Sequence, residues 1–136
     1  MNKVISTTGE QQTNNGYAIK NVTVTSDGSD RLFFNIEWEG DDYMDFYELR
    51  ILDGHKRFIE SECYLPHNSQ MTVEKWMFNL QSGKVNTLRF YIELGIPDYE
   101  EDGREKSWDL LACYGPIDLK IYYKFNFFSK NVLEIR

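Results

Sequence analysis

The chain is poor in the residues that disulfide frameworks and zinc sites require. Its 136 residues include only two cysteines, Cys63 and Cys113, and two histidines, His55 and His67. No Cys-x-x-Cys pair is present, so the ligands for a structural zinc site are too few. We therefore expect both cysteines to be reduced thiols in the core. The alternative, one disulfide closing a long loop, requires an oxidising compartment.

Long apolar segments are lacking as well. The first ten residues contain no apolar run of signal-peptide length, and no stretch approaches the about 20 apolar residues of a membrane-spanning helix. We expect a cytoplasmic protein, with a secreted chain whose signal was removed as the alternative. A chain of this length is expected to form one domain with one core, without support from metals or disulfides.

Positive charge is scarce, with a formal net charge of −7. Binding to nucleic acid or to an anionic membrane requires clusters of Lys and Arg that displace counterions. The composition therefore argues against an unassisted nucleic-acid or membrane binder. It favours a protein partner with a basic surface, or a divalent cation.

Aromatic residues are abundant, at 15% of the chain, and they follow strand periodicity. The segment Arg31–Leu52 is the clearest case, because its apolar residues recur at every second position on either side of Gly40. This pattern predicts two strands of a β-meander, with Glu48 and Arg50 facing solvent. The residues predicted to face the core are Leu32, Phe34, Ile36, Trp38, Tyr47, Leu49 and Ile51.

Further strands are predicted along the rest of the chain, at Tyr17–Ser26, Arg57–Cys63, Asn86–Gly95 and Ile117–Phe127. The fold class is therefore all-β, a single-domain antiparallel β-sandwich of about seven to eight strands over residues 17–136. Residues 1–16 are polar and aperiodic, which predicts a flexible N-terminal arm.

Several connections are predicted from turn chemistry. Asp53-Gly54 indicates a hairpin, for which a three-residue loop pairs Leu49 with Ile59. Residues 64–70 are expected to form a loop, and so is the acidic segment 96–107. Gly115-Pro116 is expected to break the chain. Residues 72–80 fit strand and helix spacing almost equally, so a strand is preferred and one short helix near residues 70–80 is the alternative.

Two acidic segments are candidate calcium ligands. Asp98, Glu100 and Asp102, followed by Gly103, copy the first half of a calcium-binding loop. Asp41 and Asp42 form a second group, and two such loops at one end of a sandwich could share a divalent ion. The interpretation we prefer is an acidic loop that keeps the protein in solution, with calcium binding as the alternative. No cofactor is therefore expected.

The order of these features resembles a C2 domain: an acidic loop, a strand, a Trp-containing segment, another strand and a second acidic loop. The resemblance implies calcium-dependent phospholipid binding. Asp42-Tyr43-Met44 stands where that family usually has Asp-Pro-Tyr, and Asp98-Tyr99-Glu100 replaces its Asp-x-Asp. The pairing of Glu37-Trp38 with residues 47–50 also resembles fibronectin type III strands, so the sandwich is expected to be C2-like or immunoglobulin-like.

Residues suited to catalysis are few. Cys63 lies four positions before His67, and a Cys–His pair can generate a thiolate nucleophile. The interpretation we prefer is a core thiol next to an unrelated loop histidine. An enzyme is therefore the least expected class.

Exposed aromatic residues beside acidic loops suit a recognition surface. We expect a non-catalytic interaction domain that binds a protein partner through its acidic loops and one aromatic sheet face, as an inhibitor, an immunity-type protein or an assembly subunit. The alternative is a carbohydrate- or lipid-binding module assisted by calcium. The candidate binding residues are Tyr43, Tyr91, Tyr99, Trp108 and Tyr122.

Overall fold

The chain folds into β-strands, as the periodicity predicts. All regular secondary structure in the part of the chain that the computed structural model describes is strand, so the all-β prediction is confirmed. In that part, no helix is long and apolar enough to cross a membrane. The model describes residues 3–6, 10–12, 16–28, 30–40, 47–63, 66–74 and 79–136.

The described residues form ten strands in two antiparallel sheets, against the seven or eight strands predicted. The first sheet has the order β1-β3-β4-β7, and the second, which is curled, has the order β10-β9-β8-β5-β6 with β2 also paired to β9. The strands are β1 (Lys3–Ser6), β2 (Glu10–Gln12), β3 (Ala18–Ser26), β4 (Arg31–Glu39), β5 (Glu48–Asp53), β6 (Phe58–Cys63), β7 (Asn68–Glu74), β8 (Lys84–Tyr99), β9 (Glu105–Lys124) and β10 (Val132–Ile135).

One hydrophobic core joins the two sheets. The four alternating apolar residues of β4 are all buried, as predicted, and they belong to one cluster with the inward residues of β5, β8 and β9. Phe34 of β4 and Phe90 of β8 make an edge-to-face contact, with ring centroids 5.1 Å apart. The inner faces of the sheets are therefore packed against each other.

The segment predicted to be an N-terminal arm contains two short strands. β1 pairs with β3, with Lys3 opposite Ser26, and β2 pairs with β9, with Gln12 opposite Cys113. Backbone pairing of this kind does not depend on an apolar alternation, which explains why the polar sequence gives no strand signal.

The β8–β9 hairpin is continuous at two places where the sequence predicts that strand structure is interrupted. The expected loop at 96–107 is wrong, because β8 continues to Tyr99, β9 begins at Glu105 and only residues 100–104 form the turn. The expected break at Gly115-Pro116 is also wrong, since β9 runs through it. Register shifts along the β8–β9 pair accommodate these irregular positions within continuous pairing.

The region between residues 64 and 80 also differs from the prediction. The expected loop at 64–70 is wrong at its end, because Asn68 already belongs to β7 and pairs with Glu37 of β4. Residues 70–74 are strand, so the helix alternative is wrong there. Residues 75–78 lie outside the described residues.

The β5–β6 hairpin has a different register from the predicted one. Leu49 pairs with Glu62 instead of Ile59. The Asp53 carboxylate accepts a hydrogen bond from the backbone N–H of Arg57 at 2.9 Å, and the Asp53 N–H donates to the Arg57 carbonyl at 2.9 Å. The turn therefore lies one residue later in the chain than predicted. Ile59 is an extra residue in β6, so that strand contains a β-bulge.

Candidate functional site

The tip of the β8–β9 hairpin is an acidic projection built on paired strands. Its turn is closed by hydrogen bonds from the Glu100 N–H to the Arg104 carbonyl at 2.7 Å and from the Gly103 N–H to the Glu100 carbonyl at 3.0 Å. Gly103 has a φ of 89°, a conformation that glycine adopts without strain. The exposed acidic residues of the tip are Asp98, Glu100, Glu101, Asp102 and Glu105.

The predicted calcium ligands are only partly described. The Asp102 carboxylate already has a partner within the turn. It accepts hydrogen bonds from the Arg104 backbone N–H at 3.1 Å and from Arg104 Nε at 2.7 Å. Asp41 and Asp42 lie outside the described residues. Within the described residues, no three His, Cys, Asp or Glu side chains are grouped so that they could hold a metal ion. The five-residue calcium site therefore stays a prediction.

A half-buried arginine, Arg50, connects the hairpin tip to β5. The prediction that Glu48 and Arg50 face solvent is wrong, since their side chains are only 6% and 13% exposed. Arg50 Nη1 and Nη2 donate to both carboxylate oxygens of Glu105, at 3.2 and 2.9 Å, and Nη2 also donates to Glu48 at 3.2 Å. The guanidinium lies 3.6 Å from the centroid of the Trp108 ring. Trp108 Nε1 in turn donates to Glu93 at 3.0 Å. We call Glu48, Arg50, Glu93, Glu105 and Trp108 the arginine clamp.

Gly95 makes room for this clamp. It lies opposite Glu48 in the β5–β8 pair, and a Cβ at this position would lie 2.5 Å from Cζ2 of Trp108 and 2.7 Å from the Asp109 carbonyl oxygen. A glycine inside a strand marks a bulge or the close approach of another group, and the β8–β9 register shifts between Leu94 and Gly95. Gly95 was therefore the one signal in the sequence that could have located the clamp.

The surroundings of the clamp raise the pKa of Arg50 and of the neighbouring Cys63 thiol. Burial lowers the pKa of Arg50, but hydrogen bonds to Glu105 and Glu48 outweigh it and leave the pKa raised. Burial, with the Glu48 carboxylate, raises the pKa of Cys63. A raised thiol pKa does not favour the thiolate that a nucleophile requires.

The core placement predicted for the two cysteines is wrong, and their reduced state stays a prediction. Cys63 is exposed and Cys113 half-buried, and neither forms a disulfide in the described part of the chain. Cys63 lies in β6 opposite Glu48, which places it on the outer face of the curled sheet instead of in the core.

The predicted aromatic residues do not form one surface. Tyr99 is 53% exposed at the hairpin tip, and Trp108 is half-buried in the clamp. Tyr91 lies under Lys56, with Nζ 5.0 Å from the ring centroid. Tyr122 is at the other end of the hairpin, where Arg136 covers its ring. Tyr43 lies outside the described residues.

A cluster of phenylalanines follows β9, at the opposite end of the hairpin from the acidic tip. The sequence wrongly predicts that the strand extends into this cluster. The predicted last strand extends to Phe127, but β9 ends at Lys124. Phe125 and Phe127 are exposed, and so is Phe128, which follows them. The alternation continues past the end of the strand, so periodicity alone does not reveal the exposure.

Comparison with other proteins does not add to this description. The chain matches no protein-family model, no curated protein and no solved structure. Its function is therefore inferred from the surfaces that the fold presents, chiefly the acidic hairpin tip and the exposed phenylalanines.

Proposed function

We propose that the chain is a non-catalytic interaction domain that binds a basic protein surface through the tip of its β8–β9 hairpin. The observation that carries the proposal is the combination, on one hydrogen-bonded turn, of exposed carboxylates with the exposed ring of Tyr99. Tyrosine is enriched in protein interfaces, where its ring is buried while its hydroxyl retains a polar contact.

Preorganisation supports this role. Residues 98–99 and 105–107 pair across the hairpin, and the arginine clamp holds Glu105 and Trp108 against β5. A surface that is already ordered loses less conformational entropy on binding than a loose loop does. The carboxylates would speed encounter with a basic partner, and Tyr99 would contribute most of the contact energy.

The β-sandwich framework fits the same proposal. Two packed sheets hold a protruding hairpin in a fixed orientation, as an inhibitor, an immunity-type protein or a subunit of an assembly requires. No catalytic group is needed for any of these roles.

The experiment compares pull-downs by the wild-type chain and by a hairpin variant, Tyr99→Ser/Glu100→Lys/Glu101→Lys. We expect the variant to lose partners that the wild type captures, and those partners to have basic surfaces. With an identified partner, stopped-flow association should slow as salt is raised, because screening weakens the attraction between charges.

A charge-matched control distinguishes the effect of changing the hairpin surface from the effect of changing the net charge of the protein. Asp118→Lys/Glu134→Lys changes the same number of acidic residues on β9 and β10, toward the other end of the hairpin, and should keep the partners. Capture of the same partners by the hairpin variant would contradict the proposal.

A further inference from the structure

Three exposed phenylalanines occupy the turn between β9 and β10. In this segment, Phe125–Asn131, which we call the phenylalanine loop, Phe127 is 86% exposed and Phe128 is fully exposed. The rings of Phe125 and Phe127 contact each other edge to face, with centroids 5.1 Å apart. The centroid of the Phe128 ring lies 6.4 Å from that of Phe127. Contiguous exposed apolar groups of this kind mark interaction surfaces.

The loop holds these rings outward by its own hydrogen bonds. The Asn126 backbone N–H donates to the Asn131 side-chain oxygen at 3.0 Å, and Asn126 Nδ2 donates to the Lys130 carbonyl at 2.9 Å. The Phe125 N–H donates to Ser82 Oγ at 2.9 Å, which fastens the loop to the preceding turn. The two outermost rings are therefore presented at the apex of a closed turn.

Positive charge surrounds the phenylalanines. Lys124 and Lys130 flank the loop, and Lys84 lies beside it at the start of β8, opposite Tyr123. All three side chains are exposed, and none forms an ion pair with another described residue. Asp30, which is half-buried, contacts the loop by accepting a hydrogen bond from Asn131 Nδ2 at 3.4 Å.

The negative charge of the hairpin lies at the opposite end. β8 begins beside the phenylalanine loop and ends at the acidic tip, and its 16 residues correspond to about 50 Å of strand. At physiological ionic strength, charges separated by more than about 8 Å of solvent are largely screened from each other. The net charge of −7, which argues against membrane binding when the chain is treated as a whole, therefore does not describe this end.

We propose that the phenylalanine loop inserts into the interface of an anionic lipid bilayer. Phe127 and Phe128 would enter the boundary between headgroups and acyl chains, while Lys84, Lys124 and Lys130 remain at the headgroups. The two apex rings are almost entirely exposed, with centroids 6.4 Å apart, an arrangement that a bilayer accepts without a matching pocket. The acidic hairpin tip would then face away from the anionic surface, which favours this orientation.

The test is flotation with phosphatidylcholine vesicles, with and without phosphatidylserine. We expect the wild-type chain to bind the vesicles that contain phosphatidylserine. Phe127→Ser/Phe128→Ser should weaken this binding about tenfold or more, because the apolar area that enters the bilayer is lost. Lys124→Glu/Lys130→Glu should also weaken it, and only on anionic vesicles. Because both pairs are exposed, these variants should fold as the wild type does.

Two controls make the test specific. Phe58→Ser removes an exposed phenylalanine from β6 and should leave vesicle binding unchanged. The hairpin variant Tyr99→Ser/Glu100→Lys/Glu101→Lys should still bind vesicles, which separates this proposal from the proposed partner site. Absence of wild-type binding to anionic vesicles would overturn the proposal, and so would equal binding by Phe127→Ser/Phe128→Ser. Loss of a captured protein in that variant, without vesicle binding by the wild type, would indicate a protein groove instead.

Discussion

At the scale of single residues, Gly95 is the position that leaves least room for change. We predict that Gly95→Ala destabilises the protein by about 1–3 kcal/mol, as overpacking does elsewhere. An added methyl group would overlap the indole of Trp108 and the Asp109 carbonyl, and the backbone oxygen has little freedom to move. Chemical denaturation of the two proteins measures the difference in the free energy of unfolding.

Gly54→Ala is the matched control, because its added Cβ would lie 3.3 Å from the Cβ of Arg89, a contact that a small shift relieves. Its free energy of unfolding should change less than that of Gly95→Ala. Equal stability of Gly95→Ala and the wild type would show that Trp108 does not pack on Gly95 in solution.

At the scale of elements, the arginine clamp holds the tip of the β8–β9 hairpin to β5. We predict that Arg50→Met loosens the tip, because Glu48 and Glu105 lose the donor that both share. Leaving buried polar groups unpaired costs about 1–3 kcal/mol, more when they are charged. Native-state hydrogen exchange should show faster exchange for the amides at 99–108 and a smaller change in β4.

Arg104→Met provides the comparison for this prediction. Arg104 also pairs with a carboxylate, that of Asp102 at 2.7 Å, but its side chain is 79% exposed. Exposed ion pairs contribute little to stability, so exchange at the tip should hardly change. The clamp would lose its assigned role if the two variants behaved alike.

The strands differ in how well the sequence predicts which side chains are buried. The alternation in β4 predicted its buried face correctly, because half-buried strands have a period of two. The same rule failed for Glu48 and Arg50 in β5, since Trp108 and Glu105 cover them from a segment far along the chain. Contacts between segments so far apart in the chain do not affect the local alternation. Gly95 is the feature of the sequence that indicates a close approach here. The acidic tip was recognised as a feature, but its strand pairing was not.

At the scale of the whole molecule, β10 connects the two sheets. Leu133 is fully buried, its backbone N–H donates to the Gly28 carbonyl at 3.2 Å, and its carbonyl accepts from Ser26 Oγ at 2.8 Å. We predict that Leu133→Ala destabilises the protein by about 2–5 kcal/mol, through lost burial and the cavity that remains. Thermal and denaturant unfolding measure this effect.

Glu134→Ala serves as the control, because Glu134 is half-exposed on the other face of β10 and pairs only with Arg136 among the described residues. Its effect should be small. If Leu133→Ala unfolded at the same denaturant concentration as the wild type, β10 would not be an integral part of the core. The sequence predicts no strand here, because four residues are too few for a clear alternation.

The bulge in β6 also limits how another chain can attach. Among the described strands, β6 is the last on its side of the curled sheet, so one row of its backbone N–H and C=O groups has no described strand beside it. The extra residue, Ile59, interrupts the spacing of that row, and Glu60 and Glu62 add negative charge along it. Such an edge resists the addition of a further strand. A partner is therefore expected to recognise side chains of the folded domain, and the chain is protected here from edge-to-edge self-association.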